Sequence, residues 1–291
     1  MIQDISPHIL RNEYKDIAEP KKQDIIMIFK ETGVLAKADN HTIQYPSFET
    51  LKENTISDMY SYRYLFKMDE QDFYLGILKQ QSGLSKELQS GLPEYSFITT
   101  QTFRTAQPME MAYAGTTSYH LYQWYRDNQY CGRCGERLEH SHKERMMFCP
   151  KCNNVTYPRI SPSVIVGVTN KDKILVTRYV AGRNYRKYAL VAGFTEIGET
   201  AEQTVAREVM EETGICVKNI RYYKSQPWGF TGGLLLGYWA ELDGDDTIHL
   251  DESELCEGKW VTREELELDT VAISLTREMM KCFKEGEEYT K

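Results

Sequence analysis

No run of apolar residues in this sequence approaches the roughly 18–20 needed to cross a bilayer. The amino terminus, MIQDISPHILRNEYKD, lacks a basic start followed by an apolar stretch and a small-residue cleavage site, so it does not read as a secretory signal. Positive charge is in deficit: 35 Lys and Arg against 43 Asp and Glu leave a net charge of -8. That balance excludes a nonspecific nucleic-acid or membrane-surface binder, though it leaves room for a local basic pocket. Internal repeats and low-complexity tracts are missing from the first 108 or so residues as well. The seven cysteines are an odd number. Without an export signal they point to the reducing cytoplasm, where thiols bind metal or stay free. Nor is the chain depleted of apolar residues as disordered chains are, since 41% are hydrophobic and 27% charged. Its 291 residues are enough for about two folded domains.

The first 108 or so residues carry short β-prone runs, Ile25–Phe29 and Phe73–Leu78 among them, and read as an α+β domain. Helical spacing of Tyr113, Leu121, Trp124 and Tyr125 predicts a connecting helix from Met109 to about Arg126, weakened by Gly115 and Thr116–Thr117. Beyond it, Ser163–Thr169 and Lys173–Thr177 read as strands joined at Asn170-Lys171-Asp172. Further strands are expected at Ile220–Lys224, Leu234–Leu242 and Gly258–Val261, with helices at Thr200–Thr213 and Ser274–Lys284. Strands on both sides of a helix suggest a mixed sheet flanked by helices. The expected boundaries are 1–126, 127–157 and 158–288.

Cys131-Gly-Arg-Cys134 and Cys149-Pro-Lys-Cys152 are two C-x-x-C knuckles, a spacing that lets four thiolates converge on one tetrahedral zinc. Four thiolates leave no open position for water, so the predicted ion is structural; paired disulfides are the competing arrangement. Basic residues in this segment, Arg133, Arg137, Lys143, Arg145 and Lys151, alternate with Glu136, Glu139 and Glu144, which suggests a solvated surface. Cys216, Cys256 and Cys282 have no partner at ligand spacing and read as ordinary thiols.

The stretch from Gly193 to Ile215 is the most informative. Thr200 with Gln203 forms a capping-box pattern, and Gly214 suits a left-handed helix stop. Between them Glu208, Glu211 and Glu212, at i, i+3 and i+4, share one face, while Val205, Ala206, Val209 and Met210 are expected to gather on another and pack on the sheet. Crowded carboxylates near the negative end of a helix dipole repel one another, which a cation offsets. Oxygen ligands of this kind suit Mg2+ or Mn2+ with substrate phosphates. A solvated acidic face is the plain alternative. Loop glycines Gly193 and Gly198, the additional carboxylate Glu199 and Arg207 beside the first helix acid argue against it.

The stretch matches every fixed position of the Nudix box, G-x5-E-x7-R-E-U-x-E-E-x-G-U with U aliphatic, and so resembles the Nudix hydrolases. The resemblance implies an α/β/α sandwich, making the whole an α+β chain in which that sandwich follows a four-cysteine zinc ribbon and an amino-terminal α+β domain. It also implies hydrolysis of a nucleoside diphosphate linked to another group. Glu208, Glu211 and Glu212 would hold divalent ions, Glu199 would assist in the metal site, and Arg207 would orient a catalytic glutamate by a salt bridge. Water would attack one phosphorus while the ions neutralise charge on the pyrophosphate. Glu212 and Glu254 are both candidates for the base and for the metal shell.

A zinc ribbon before such a box is similar to the NADH pyrophosphatase family, also called NAD-capped RNA hydrolases, over about residues 105–285. Tyr157-Pro-Arg-Ile-Ser-Pro162, Ala192-Gly-Phe194 and Ser225-Gln-Pro-Trp228 carry the likeness. In that family S-Q-P-W-P-F-P-x-S marks NAD(H) specificity. Here five of its eight fixed positions agree; Gly229, Thr231 and Gly233 replace two prolines and the last serine, predicting a more flexible loop. By this resemblance Phe194 and Tyr157 would sandwich the nicotinamide, the tyrosine coming from the same subunit or its homodimer partner, and Gln226 and Trp228 would shape the pocket. The implied substrate is a dinucleotide, NADH or NAD+, cut to NMN(H) and AMP, with NAD-capped RNA as a further substrate. ADP-ribose or a dinucleoside polyphosphate is the alternative, and a noncatalytic ligand sensor a third.

Overall fold

The structure is a computed structural model that describes residues 1–16, 19–53, 60–78, 92–180, 187–268 and 273–289. It divides into two compact units, one of residues 2–159 with 229–232, the other of Met1 with residues 160–228 and 233–291.

In the first unit, strands β1 (Leu10–Arg11), β2 (Ile25–Lys30), β3 (Gly33–Asp39), β4 (Thr42–Gln44), β5 (Tyr60–Met68), β6 (Gln71–Leu78) and β7 (Ser96–Thr99) form one sheet. Its order is β1-β5-β6-β2-β3-β4, with β7 added to β3. Alternation along the strands sends Ile26, Ile28, Tyr64 and Tyr74 to one face, where they pack on Phe48 and Leu51 of the short helix α1 (Phe48–Glu53). The other face receives helix α2 (Met109–Asp127): Phe29 stacks on Tyr122 at 5.0 Å and tilts against Tyr119 at 5.6 Å. The expected strands and helix are therefore present. Gly115 does not interrupt α2, because a Cβ there would overlap Tyr45 and Phe103; the helix approaches its neighbours closely at that point.

The cysteine segment forms a small sheet of β8 (Glu139–His140), β9 (Met147–Phe148) and β10 (Val155–Thr156). It is not a separate body. Tyr14 Oη donates to the Ser141 carbonyl at 2.8 Å, and Arg145 donates to Asn12 Oδ1 at 3.0 Å and to the Leu65 carbonyl. Arg145, expected on a solvated surface, is thus drawn against the larger sheet, with burial lowering its pKa.

The second unit is built on a sheet ordered β14-β15-β11-β12-β16, with β13 on β11. These strands are β11 (Ser161–Asn170), β12 (Lys173–Tyr179), β13 (Val191–Phe194), β14 (Val217–Trp228), β15 (Gly233–Leu242) and β16 (Leu255–Thr262). Period-two alternation divides the core. Val164, Val166 and Val168 face helix α3 (Ala201–Thr213), while Ile165 and Trp239 face helix α4 (Leu275–Glu285). This is the expected α/β/α sandwich. Gly167 leaves the space that the Trp239 ring fills. One segment expected as loop is a strand: Val191–Phe194 pairs antiparallel with β11, Val191↔Val166 through Phe194↔Ser163, so Gly193 lies in β13. Among the described residues no helix is long and apolar enough to cross a membrane.

Candidate active site

The two cysteine knuckles have one backbone design. Cys131 N donates to Glu136 O at 2.7 Å and Gly135 N to Cys131 O at 2.9 Å; Cys149 N donates to Asn154 O at 2.8 Å and Asn153 N to Cys149 O at 3.0 Å. Each turn closes through a left-handed residue, Gly135 at φ 73° and Asn153 at φ 56°. The result places four Sγ atoms within 4.8 Å of one another, with Cys131–Cys152 at 3.6 Å and Cys134–Cys149 at 3.5 Å. Tetrahedral zinc with thiolates at about 2.3 Å needs sulfurs about 3.8 Å apart, whereas a disulfide needs about 2.05 Å. The quartet fits zinc, and disulfides are excluded. Arg133 N donates to Cys131 Sγ at 3.4 Å, which favours a thiolate there.

Helix α3 starts and stops as its sequence predicts. Thr200 and Gln203 make the reciprocal capping box, and Gly214 closes the helix at φ 69°. Its faces, however, differ from the expected division. Val205 and Val209 are fully buried, but Met210 is 42% exposed and Glu212 only 5%. At about 100° per residue, position 212 returns to within roughly 20° of position 205 and so lies on the core-facing side; position 210 points the other way. The three acids consequently form a row from buried Glu212 through Glu208 to Glu211, whose side chain is 60% exposed.

Arg207 organises this row. Its Nε and Nη2 grip Glu199 at 2.6 and 2.9 Å, Nη1 reaches Glu208 at 2.7 Å and Glu211 at 2.9 Å, and Nη2 also donates to the Phe194 carbonyl at 2.9 Å. Glu199 further accepts from the Glu196 amide and Thr204 Oγ1, both at 3.0 Å. The arginine, with these donors, holds its carboxyl down at about 2. Glu199 therefore positions Arg207, with both of its oxygens accepting hydrogen bonds. Thr204 has no fixed place in the sequence pattern and was not anticipated. Burial raises the pKa of Glu208 against the pull of Arg207, with Glu211 and Glu254 adding to the rise. Glu254, distant in sequence, is thereby brought near Glu208.

A Cβ on Gly193 would overlap the Glu208 carboxylate, so the glycine of β13 forms the cradle in which that carboxylate lies. The carboxylates of this helix are oxygen donors of the kind a hard divalent cation takes, but among the described residues only the four cysteines bring three or more ligand atoms within 4.8 Å of one another. Comparison with known proteins agrees with the geometry. Residues 159–281 match the family described as NUDIX domain, and residues 126–157 the NADH pyrophosphatase zinc ribbon domain. The chain carries a NUDIX domain behind a NADH pyrophosphatase zinc ribbon.

Among curated relatives, the NAD-capped RNA hydrolase NudC of Salmonella typhi is 44% identical over 148 residues, 51% of this chain and 57% of the relative. The protein of that name from Escherichia coli O9:H4 (strain HS) gives the same identity and coverage. The chain thus spans little more than half the length of the curated relatives it matches. A solved NUDIX hydrolase from Nitrosomonas europaea aligns at a TM-score of 0.47 and 23% identity, covering 54% of this chain and 91% of that one.

Within the NUDIX domain, the Phe194 ring at the end of β13 is 57% exposed. In the other unit Tyr157 is 51% exposed, its hydroxyl donating to Glu144 at 3.3 Å. Both present open aromatic faces. Gln226 does not. It is fully buried in β14, its amide donating to Ile273 O at 2.8 Å and accepting from Leu275 N at 2.7 Å. Its role is to tie β14 to the start of α4, so any effect on a pocket is indirect. Trp228, half-buried, ends β14 opposite Gly233.

The Gly229–Gly232 connection is packed, against the expectation of a looser loop. A Cβ at Gly229 would overlap the Thr116 carbonyl of α2, and the Phe230 ring lies 4.6 Å from the Arg104 guanidinium. Glycine is what the close backbone approach requires, where the family pattern has proline. Gly229→Pro is accordingly expected to destabilise the protein, by about 1–3 kcal/mol, with Gly229→Ala in the same direction. Urea midpoints for the three proteins measure this; an unchanged or raised midpoint for both variants would contradict the packing.

Proposed function

We propose that the chain hydrolyses the pyrophosphate bond of NADH and NAD+ to NMN(H) and AMP, and removes NAD caps from RNA at the same site. The observation that carries the reading is Arg207 bridging Glu199, Glu208 and Glu211 in front of the Gly193 cradle. The 44% identity to a NAD-capped RNA hydrolase across 148 residues supports the substrate class. Glu208, Glu211, Glu212 and Glu254 would hold Mg2+ or Mn2+, which when bound neutralises pyrophosphate charge and activates water. The chain's own groups do the rest. Arg207 bridges and orients two of these acids, and Glu212 or Glu254 takes the proton from the attacking water. Phe194 and Tyr157 offer flat faces for the nicotinamide, Tyr157 from the same subunit or from the other copy in a homodimer. Free thiols and a zinc site fit a cytoplasmic enzyme.

Gly229, Thr231 and Gly233 favour one competing reading, a NUDIX hydrolase of ADP-ribose or dinucleoside polyphosphates. Steady-state kcat/KM for NADH, NAD+, ADP-ribose and a diadenosine polyphosphate, measured side by side with Mg2+ and Mn2+, separates the two. NADH or NAD+ is expected to lead. A wide margin for ADP-ribose would replace the substrate assignment, and release of NAD from capped RNA tests the second activity.

A further inference from the structure

The buried side of helix α3 carries a hydroxyl that the hydrolase reading leaves unused. Thr204 is fully buried, so no bulk water competes for its hydroxyl proton. At about 100° per residue, position 204 lies one turn before position 208 and two turns before position 211 on nearly the same line of the helix, with position 207 beside them. Its Oγ1 has two acceptors within reach, Glu199 Oε2 at 3.0 Å and the Thr200 carbonyl at 3.1 Å, and a single proton to give.

The two acceptors are not equivalent. The Thr200 carbonyl already accepts from Thr204 N at 3.0 Å, so a second bond from the hydroxyl adds little to the helix. Glu199 offers an ionised oxygen, which makes the stronger bond. Its other donors cannot fix it from the core: the Glu196 amide belongs to an exposed loop residue, and Arg207 is the group that Glu199 itself has to place. Among the described residues Thr204 is the one fully buried donor to this carboxylate. A branched Cβ restricts χ1, so the hydroxyl is presented in one of few directions.

We propose that Thr204 is a positioning residue for pyrophosphate hydrolysis. Its hydroxyl fixes the Glu199 carboxylate, Glu199 fixes the Arg207 guanidinium, and Arg207 sets the directions of Glu208 and Glu211. Thr204 itself touches neither the substrate nor the reacting atoms. This role rests on the hydrolase reading of the NUDIX site. The plain alternative is a threonine that only closes its own helical turn.

Thr204→Val and Thr204→Ala remove the hydroxyl, and Thr204→Ser keeps it. With whichever of NADH, NAD+, ADP-ribose and the diadenosine polyphosphate the parent turns over fastest, both deletions should lower kcat about tenfold, the scale of one hydrogen bond to a charged group, with KM close to the parent's. Thr204→Ser should recover most of that loss. A second readout needs neither substrate nor divalent ion. The Arg207 Nε–H resonance, assigned by its absence in Arg207→Lys, should exchange with water faster in both deletions than in the parent or in Thr204→Ser. Two deletions are used so that a folding defect in one still leaves a reading; failure of both to fold would make the residue structural and overturn the proposal. So would parent kcat or parent exchange in a folded deletion, or a loss that Thr204→Ser does not recover. A parent inactive toward all four substrates would instead overturn the hydrolase reading and this role with it, and the exchange rates would still report whether Thr204 holds Glu199.

Discussion

Glu211→Gln should lower kcat by at least about 10²–10³-fold, the loss that follows removal of one transition-state electrostatic contact, while leaving the protein at least as stable as before. The two effects have opposite signs for a physical reason. Glu211 is largely exposed and its ion pair with Arg207 also engages Glu199 and Glu208. Glutamine has nearly the helix propensity of glutamate, and its neutral amide relieves repulsion from Glu208 at i−3, about a few tenths of a kcal/mol. A merely structural acid would lose stability and activity together. A catalytic cation site loses activity alone, because the repulsion that the helix tolerates is what the bound ion offsets. Glu212→Gln should repeat the loss of turnover from the buried end of the row. Parallel kcat and thermal-melt measurements decide it; full activity in Glu211→Gln would remove the metal assignment, and a large fall in Tm would recast the residue as structural.

Much of this site was legible because it is local. The capping box, the helix stop at Gly214 and the spacing of Glu208, Glu211 and Glu212 are properties of one continuous segment, and helical geometry alone relates them. Arg207 could be assigned a glutamate partner, but that it would span three required the position of Glu199 at the loop before the helix. The burial of Glu212 is not legible in the sequence, since counting faces from charge pattern hides its near alignment with Val205. Long-range contacts account for the remaining differences. Gly193 reads as a loop glycine until β13 is paired with β11 and the Glu208 carboxylate is seen against it. Gly229 reads as a loss of stiffness until Thr116, more than a hundred residues away in sequence, is beside it. Gln226 reads as a pocket residue until Leu275 and Ile273 take both ends of its amide. In the first unit, pattern identified β2, β6 and α2, and the sheet order, which depends on pairings across the chain, could not be read.

Cys149→Ser is expected to abolish zinc binding and unfold the ribbon, a larger structural effect than that of any substitution in the NUDIX helix. Apart from the hydrogen bonds of Ser141 and Arg145 to Tyr14, Asn12 and Leu65, the segment has little else to hold it. Its three strands are two residues each, and its buried cluster consists of Cys131, Leu138 and Cys149, two of which are ligands. Zinc binding in small cysteine-rich modules contributes on the order of 10–16 kcal/mol at neutral pH, far above what so small an apolar cluster can supply. A serine hydroxyl is a poor replacement for thiolate, and it leaves the other three sulfurs without tetrahedral closure. The measurement is zinc per chain, expected to fall from one to near zero, with limited proteolysis mapped between Cys131 and Thr156. The α/β/α unit has two apolar clusters of its own and should resist the protease at the same dose. Full zinc in Cys149→Ser, or a ribbon that stays protected after the metal is lost, would show that the fold of this segment does not depend on the ion.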